Sequence, residues 1–145
     1  MRICAIDPST KGYGVAFFDG DQITDARYVR HDELRAFAST TELFDLLVVE
    51  MPQFYPGITK SPQSLIQLGY AAGFAAACFA ARARENIYPR QWTRGIKKDE
   101  RIKTLKRFVK TEEYPVMRMP TASLQHNVWD AIGLGLWRIH GGLKR

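Results

Sequence analysis

Ile3-Cys4-Ala5-Ile6-Asp7-Pro8-Ser9-Thr10-Lys11-Gly12-Tyr13-Gly14-Val15 is an apolar run that ends on an acid, then a turn, then a second run mixing apolar and aromatic residues. The first run suits a short buried strand, and the Pro, Ser and Gly after Asp7 suit a turn. Residues 13–18 alternate as a second strand, Asp19-Gly20 is a hairpin signal, and residues 22–30 return as a third, antiparallel strand. A strand ending on an acid recurs at Phe44-Asp45-Leu46-Leu47-Val48-Val49-Glu50, where the nearly continuous apolar run is that of a strand buried on both faces.

Outward from these strands, residues 31–43 read as a short helix and residues 51–62 as a loop punctuated by Pro and Gly. Residues 64–84 read as one long helix in which Gly69, Ala72, Gly73, Ala76 and Ala80 recur at spacings of three and four, a small-residue face for close packing on a sheet or a helix. Ile87-Tyr88 is a short last strand and residues 89–95 are a loop. Residues 98–110 form an exposed basic helix with Ile102, Leu105, Phe108 and Val109 inward, and residues 121–139 a final helix with Leu124, Val128, Ala131, Ile132 and Leu136 on its core side. The order predicts an α/β fold: a five-stranded mixed sheet, elements βββαβαβα, flanked by helices in one domain spanning 1–145. Strands one and four are neighbours in such a sheet, so Asp7 and Glu50 stand together at their carboxyl ends, where open α/β sheets place their sites.

The chain has 145 residues, about the size of one domain, and its 21 Lys+Arg against 15 Asp+Glu give a net charge of +6, which favours a polyanionic partner. Cys4 and Cys78 sit in apolar runs with no second Cys or His nearby, so they read as buried thiols rather than as a disulfide framework or zinc knuckle. The N-terminus lacks a signal-peptide pattern, and the longest apolar stretch, residues 68–81, is too short and too rich in Gly and Ala to span a membrane. The expectation is a cytoplasmic protein of a bacterial or phage-infected cell, an organelle being the open alternative, with no membrane partner.

Asp130 interrupts the apolar pattern of the final helix, where an unpaired carboxylate would cost several kcal/mol, so something cationic should face it. Three carboxylates converging from two strand ends and a helix suit Mg2+ or Mn2+, ions that keep waters and borrow phosphate oxygens. Two such ions per site hydrolyse phosphodiesters without a serine or cysteine nucleophile, and none is apparent. His126 and Asn127 precede Asp130 by four and three residues, so either shares its helix face; His126 is suited to orienting or deprotonating the attacking water, or to ligating a metal.

The opening stretch resembles the first strand and hairpin of RuvC-type Holliday junction resolvases, marked by an aspartate-proline turn and a Gly-aromatic-Gly. The resemblance continues through Leu47-Val48-Val49-Glu50, through Gln67-Leu68-Gly69-Tyr70-Ala71-Ala72-Gly73 and through Trp129-Asp130-Ala131-Ile132-Gly133-Leu134, in order and over most of the chain. It implies an RNase H-like fold, a homodimer, and paired metal-dependent nicks across a four-way DNA junction. Asp7, Glu50 and Asp130 match the family's metal-binding acids. Its fourth ligand lies three residues before the last acid, where this chain holds Asn127, with His126 one position earlier. Phe54 or Tyr55 corresponds to an aromatic that stacks at the junction centre. Residues 89–98 resemble the family's basic loop leading into a DNA-facing helix, with Trp92 where a smaller apolar residue is common. Lys97, Lys98 and Arg94 are the expected phosphate contacts there, whereas Arg101, Lys103, Lys106, Arg107 and Lys110 read mainly as solvated charge. The rival readings are another RNase H-like nuclease acting on RNA–DNA hybrids or DNA ends, a catalytically silent junction-binding protein, and an actin-like ATPase, for which the chain is too short.

Overall fold

A computed structural model describes residues 1–57 and 61–143. The residues 58–60 of the expected 51–62 loop lie outside the described residues. Strands β1 (Arg2–Pro8), β2 (Gly12–Asp19) and β3 (Gln22–Arg30) form two antiparallel hairpins, as the alternating pattern predicts. Gly20 makes the second turn possible by adopting a φ of +61°. A 3-10 turn over His31–Glu33 and helix α1 (Leu34–Ser39) replace the single helix expected over 31–43, and β4 (Phe44–Glu50) then pairs parallel with β1.

Helix α2 (Pro62–Cys78) starts earlier and ends sooner than expected. Ser61 caps it by accepting the Ser64 N–H, and Pro62 occupies the first turn, where its missing donor costs nothing. Phe79 ends it by turning to extended backbone and burying its ring. The chain continues as β5 (Ala81–Ile87), paired parallel with β4 from Phe44↔Ala81 to Glu50↔Ile87. Residues 81–84 therefore belong to a strand and not to the helix, and the last strand expected at Ile87-Tyr88 is longer and earlier. The small-residue face is corrected too: Ala71, Ala72 and Ala75 are buried, while Gly73 and Ala80 are exposed.

The 89–95 segment holds a short helix, α3 (Pro89–Thr93), and α4 (Lys98–Leu105) is shorter than the expected 98–110 helix. A two-residue strand, β6 (Met117–Arg118), pairs with β3, so the sheet has six strands and not five, in the order β5-β4-β1-β2-β3-β6. Helix α5 (Gln125–His140) follows a 3-10 turn at Ala122–Leu124.

Period-two alternation sorts the sheet's side chains onto two cores. Ile3, Ala5, Leu46 and Val48 face α5, together with Trp92, Leu105 and Ile132. Cys4, Ile6, Leu47 and Val49 face α1 and α2, together with Leu34, Ala75 and Phe79. Cys4 is buried and Cys78 half-buried, both as free thiols. No helix among the described residues is long and apolar enough to cross a membrane.

Two glycines let α5 settle directly on β2. A Cβ on Gly14 would stand 1.8 Å from the Asn127 carbonyl oxygen, and one on Gly135 would stand 2.2 Å from the Phe18 ring. Gly14→Ala should therefore cost about 3 kcal/mol or more and lower Tm by roughly 10 °C. Gly73→Ala, with open space around a helical glycine, should raise Tm by up to about 3 °C. Thermal unfolding followed by circular dichroism separates the two; a Gly14→Ala protein melting with the wild type would contradict the β2–α5 contact.

Candidate active site

The parallel pairing of β1 with β4 runs up to Ile6↔Val49, so Asp7 and Glu50 occupy the next rung. Each follows by two a residue that faces α5, Ala5 and Val48 respectively, so both carboxylates turn to that side. Asp130, one turn into α5 from His126, faces them from above the sheet; Asp7 and Asp130 are each only 7% exposed. Both other acids raise the pKa of Asp7, which places all three within electrostatic reach of one another.

Burial drives the Asp7 carboxyl well above the usual carboxylate range, and the charges of Glu50 and Asp130 push it further; Lys98 and Arg101 oppose the shift. Glu50 is pushed up to about 7, chiefly by burial and also by Asp130, against a lowering hydrogen bond from Trp92 and the charges of Arg101 and Lys98. Crowded, dehydrated carboxylates of this kind demand positive charge.

Part of that demand is met from α3 and α4. Arg101 donates to Asp130 Oδ1 from both Nη2 (2.7 Å) and Nε (3.0 Å), and both side chains are largely buried. The cation expected opposite Asp130 is thus Arg101, a residue first assigned to solvated charge. The buried Trp92 donates its indole N–H to Glu50 Oε2 at 2.5 Å, and the Arg101 guanidinium lies 4.9 Å from the Trp92 ring centroid. Neither residue was singled out for the site from sequence, although signals were present. Arg101 precedes the fully buried Leu105 by one turn of the same helix, and a buried tryptophan needs an acceptor for its N–H.

The donor set fits a hard divalent cation: carboxylate oxygens, buried, mutually repelling and only partly neutralised. Among the described residues, no three His, Cys, Asp or Glu side chains converge tightly enough to ligate one ion as they stand. Trp92 engages Glu50 through Oε2 alone, and Arg101 engages Asp130 through Oδ1 alone.

The remaining predicted residues separate. His126 is half-buried, and its pKa is lowered by burial and by Lys98 and Arg101, while Asp130 and a Ser123 backbone contact act in the opposite sense. Asn127 is buried, and its backbone is the surface on which Gly14 packs. Lys98 acts electrostatically on Asp7, Glu50 and His126, whereas Lys97 is the exposed N-cap of α4. Arg94 is exposed, in the left-handed region, and its Nη2 lies by Gly142, at the far end of α5 from Asp130. Phe54 is 56% exposed on the loop after Glu50, while the Tyr55 ring lies 4.1 Å under the Arg90 guanidinium.

No protein-family model and no curated protein sequence matches the chain. Solved structures do. RuvC of T. thermophilus in complex with a Holliday junction substrate superposes with a TM-score of 0.64 over 97% of this chain and 95% of its own, at 14% identity. The T. thermophilus RuvC structure gives 0.54 at 15% identity, over 97% of both chains. The yeast mitochondrial Holliday junction resolvase gives 0.60 at 9% identity, over 97% of this chain and 80% of its own. At these identities what is shared is the fold, and it is that of RuvC.

The Glu50 shift has a measurable consequence. A carboxyl whose folded pKa of about 7 exceeds its ordinary 4.5 binds more protons folded than unfolded between those values, so stability falls as pH rises through that window. In chelator, Tm should rise by about 4 °C from pH 8 to pH 6, each pKa unit being worth about 1.4 kcal/mol. Glu50→Gln should flatten that slope and raise Tm at pH 8. A variant with the wild-type slope would show that Glu50 titrates in its ordinary range.

Proposed function

We propose that the chain is a RuvC-type Holliday junction resolvase, a metal-dependent endonuclease that nicks four-way DNA junctions and related branched DNA. The observation that carries this reading is the gathering of three mutually repelling carboxylates, buried Asp7 and Asp130 with half-buried Glu50, at one corner of a fold shared with RuvC. The RuvC neighbour was solved on a Holliday junction, and the +6 charge of this chain suits the same polyanion.

Asp7, Glu50 and Asp130 would hold Mg2+ or Mn2+, two ions per site. Bound there, the metal supplies an activated water and stabilises the leaving oxygen of an in-line displacement. The protein's own part is positioning and proton handling. The rigid ends of β1 and β4 and the buried second turn of α5 fix the three carboxylates before substrate arrives. His126, half-buried beside Asp130 with its pKa lowered chiefly by burial, is suited to accept a proton from the attacking water, and we assign it that role in preference to the buried Asn127. Lys98 is the basic residue best placed to hold the scissile phosphate, because it already acts on all three neighbours of the cleft. Phe54 is the aromatic exposed for base stacking, since Tyr55 is covered by Arg90. Lys97 contributes a more distant phosphate contact, and Arg94 reaches DNA only if the duplex extends past the end of α5.

Paired nicks on opposite strands need two active sites, so the working form is a homodimer. Ile66 and Tyr70, 71% and 65% exposed one turn apart on α2, offer an apolar stripe for that contact, away from the carboxylates. Two free thiols suit a reducing compartment, the cytoplasm of a bacterial or phage-infected cell or, as the alternative, an organelle.

A labelled synthetic four-way junction should be nicked symmetrically with Mg2+ or Mn2+ and left intact in chelator, while linear duplex and RNA–DNA hybrid survive. Asp7→Asn should lose cleavage by about a thousandfold or more, yet bind the junction at least as well as the wild type, because an acid that repels phosphate has been removed. Cleavage of the hybrid would transfer the reading to another RNase H-like nuclease, and full cleavage by Asp7→Asn would remove Asp7 from the mechanism.

A further inference from the structure

Arg101 does something a solvated helix residue does not. Its guanidinium closes on a single oxygen of Asp130 through two hydrogen bonds, and it lies over the ring of Trp92, whose indole N–H holds Glu50. The same guanidinium also donates to the Ile96 carbonyl, two residues before α4. One short segment, α3 with α4, thereby grips two of the three carboxylates, and its two gripping side chains touch each other.

A guanidinium and a divalent ion cannot both sit at full strength on one buried carboxylate, since their charges repel in a region that screens poorly. Each is nevertheless a cationic partner for the same carboxylate, the guanidinium by hydrogen bonds and the ion by direct coordination. Trp92 offers the guanidinium a flat face on one side, so the side chain has a defined resting place and not merely an ion pair.

We propose that Arg101 is the resident counter-cation of Asp130, a positioning residue that competes with the divalent ion for this carboxylate and is released from Oδ1 and from the Trp92 ring when the ion binds. Released, the guanidinium is free beside Lys98 to take a phosphate oxygen of the DNA, so that metal loading and strand capture are linked through one side chain. The inference rests on the metal-site reading above, and it goes beyond it by predicting that a cationic residue at the heart of the site weakens metal binding.

The test is the affinity for Mn2+ at pH 8, with the free ion counted by electron paramagnetic resonance, for the wild type, Arg101→Gln and Arg101→Lys. Arg101→Gln removes the competing charge and should bind Mn2+ about tenfold more tightly or better. Arg101→Lys keeps the charge but loses the two-pronged contact, and should fall between them; it also carries the comparison if Arg101→Gln fails to melt cooperatively. The second readout is tryptophan emission under Mg2+ titration, which should change in the wild type and lose that change in Trp92→Phe and in Arg101→Gln. A residue with a merely structural role would leave metal affinity unchanged or weaken it on substitution. Wild-type Mn2+ binding that no Arg101 variant tightens overturns the competition while leaving the metal site standing. No Mn2+ binding by the wild type or by either variant overturns the metal site, and this inference with it.

Discussion

Everything at this site depends on the parallel pairing of β1 with β4, which sets Asp7 and Glu50 on one rung with their side chains turned to the same face. Two carboxylates so placed, one buried and one half-buried, repel each other, and their partial dehydration weakens the screening between them. Asp130 brings a third negative charge from α5. The rest of the α5-side architecture can be read as the means of holding these three groups together against their own repulsion. Gly14 and Gly135 allow α5 to lie close on β2, Arg101 neutralises Asp130, and Trp92 satisfies Glu50. The ion pair between Arg138 and Glu85 ties the far end of the same helix to β5.

Stability and function pull against each other here. Replacing the three acids with apolar residues would relieve a desolvation cost, and acids held in such a corner are candidates for chemistry. The compensation offered by Arg101 and Lys98 is incomplete, as the raised pKa values of Asp7 and Glu50 show. A site left short of positive charge favours an added cation, and under the proposed function that cation is Mg2+ or Mn2+.

Much of this was legible in the residues. The two strands ending on acids, their adjacency, the Asp19-Gly20 hairpin and the acid inside the last helix all stand where pattern places them. What escaped was decided by tertiary pairing. Residues 81–87, Ala-Arg-Ala-Arg-Glu-Asn-Ile, favour helix locally, and only the open edge of β4 makes them a strand, with Arg82 and Arg84 exposed along the sheet's margin. The two-residue β6 is too short to carry any periodicity. Arg101 is hidden among the charged residues of the 98–110 segment, because charge alone does not tell which side chain points inward. Of the basic residues chosen, Lys98 lies at the carboxylates and Arg94 at the opposite end of α5, a difference set by the direction of a short helix and not by spacing along the chain.

The claim that Asp7, Glu50 and Asp130 form a divalent-metal site is tested most directly by crystals grown with saturating Mn2+ and an anomalous difference map. Manganese peaks are expected between the three carboxylates. A well-ordered map with no peak there, or with peaks only elsewhere on the surface, would contradict it.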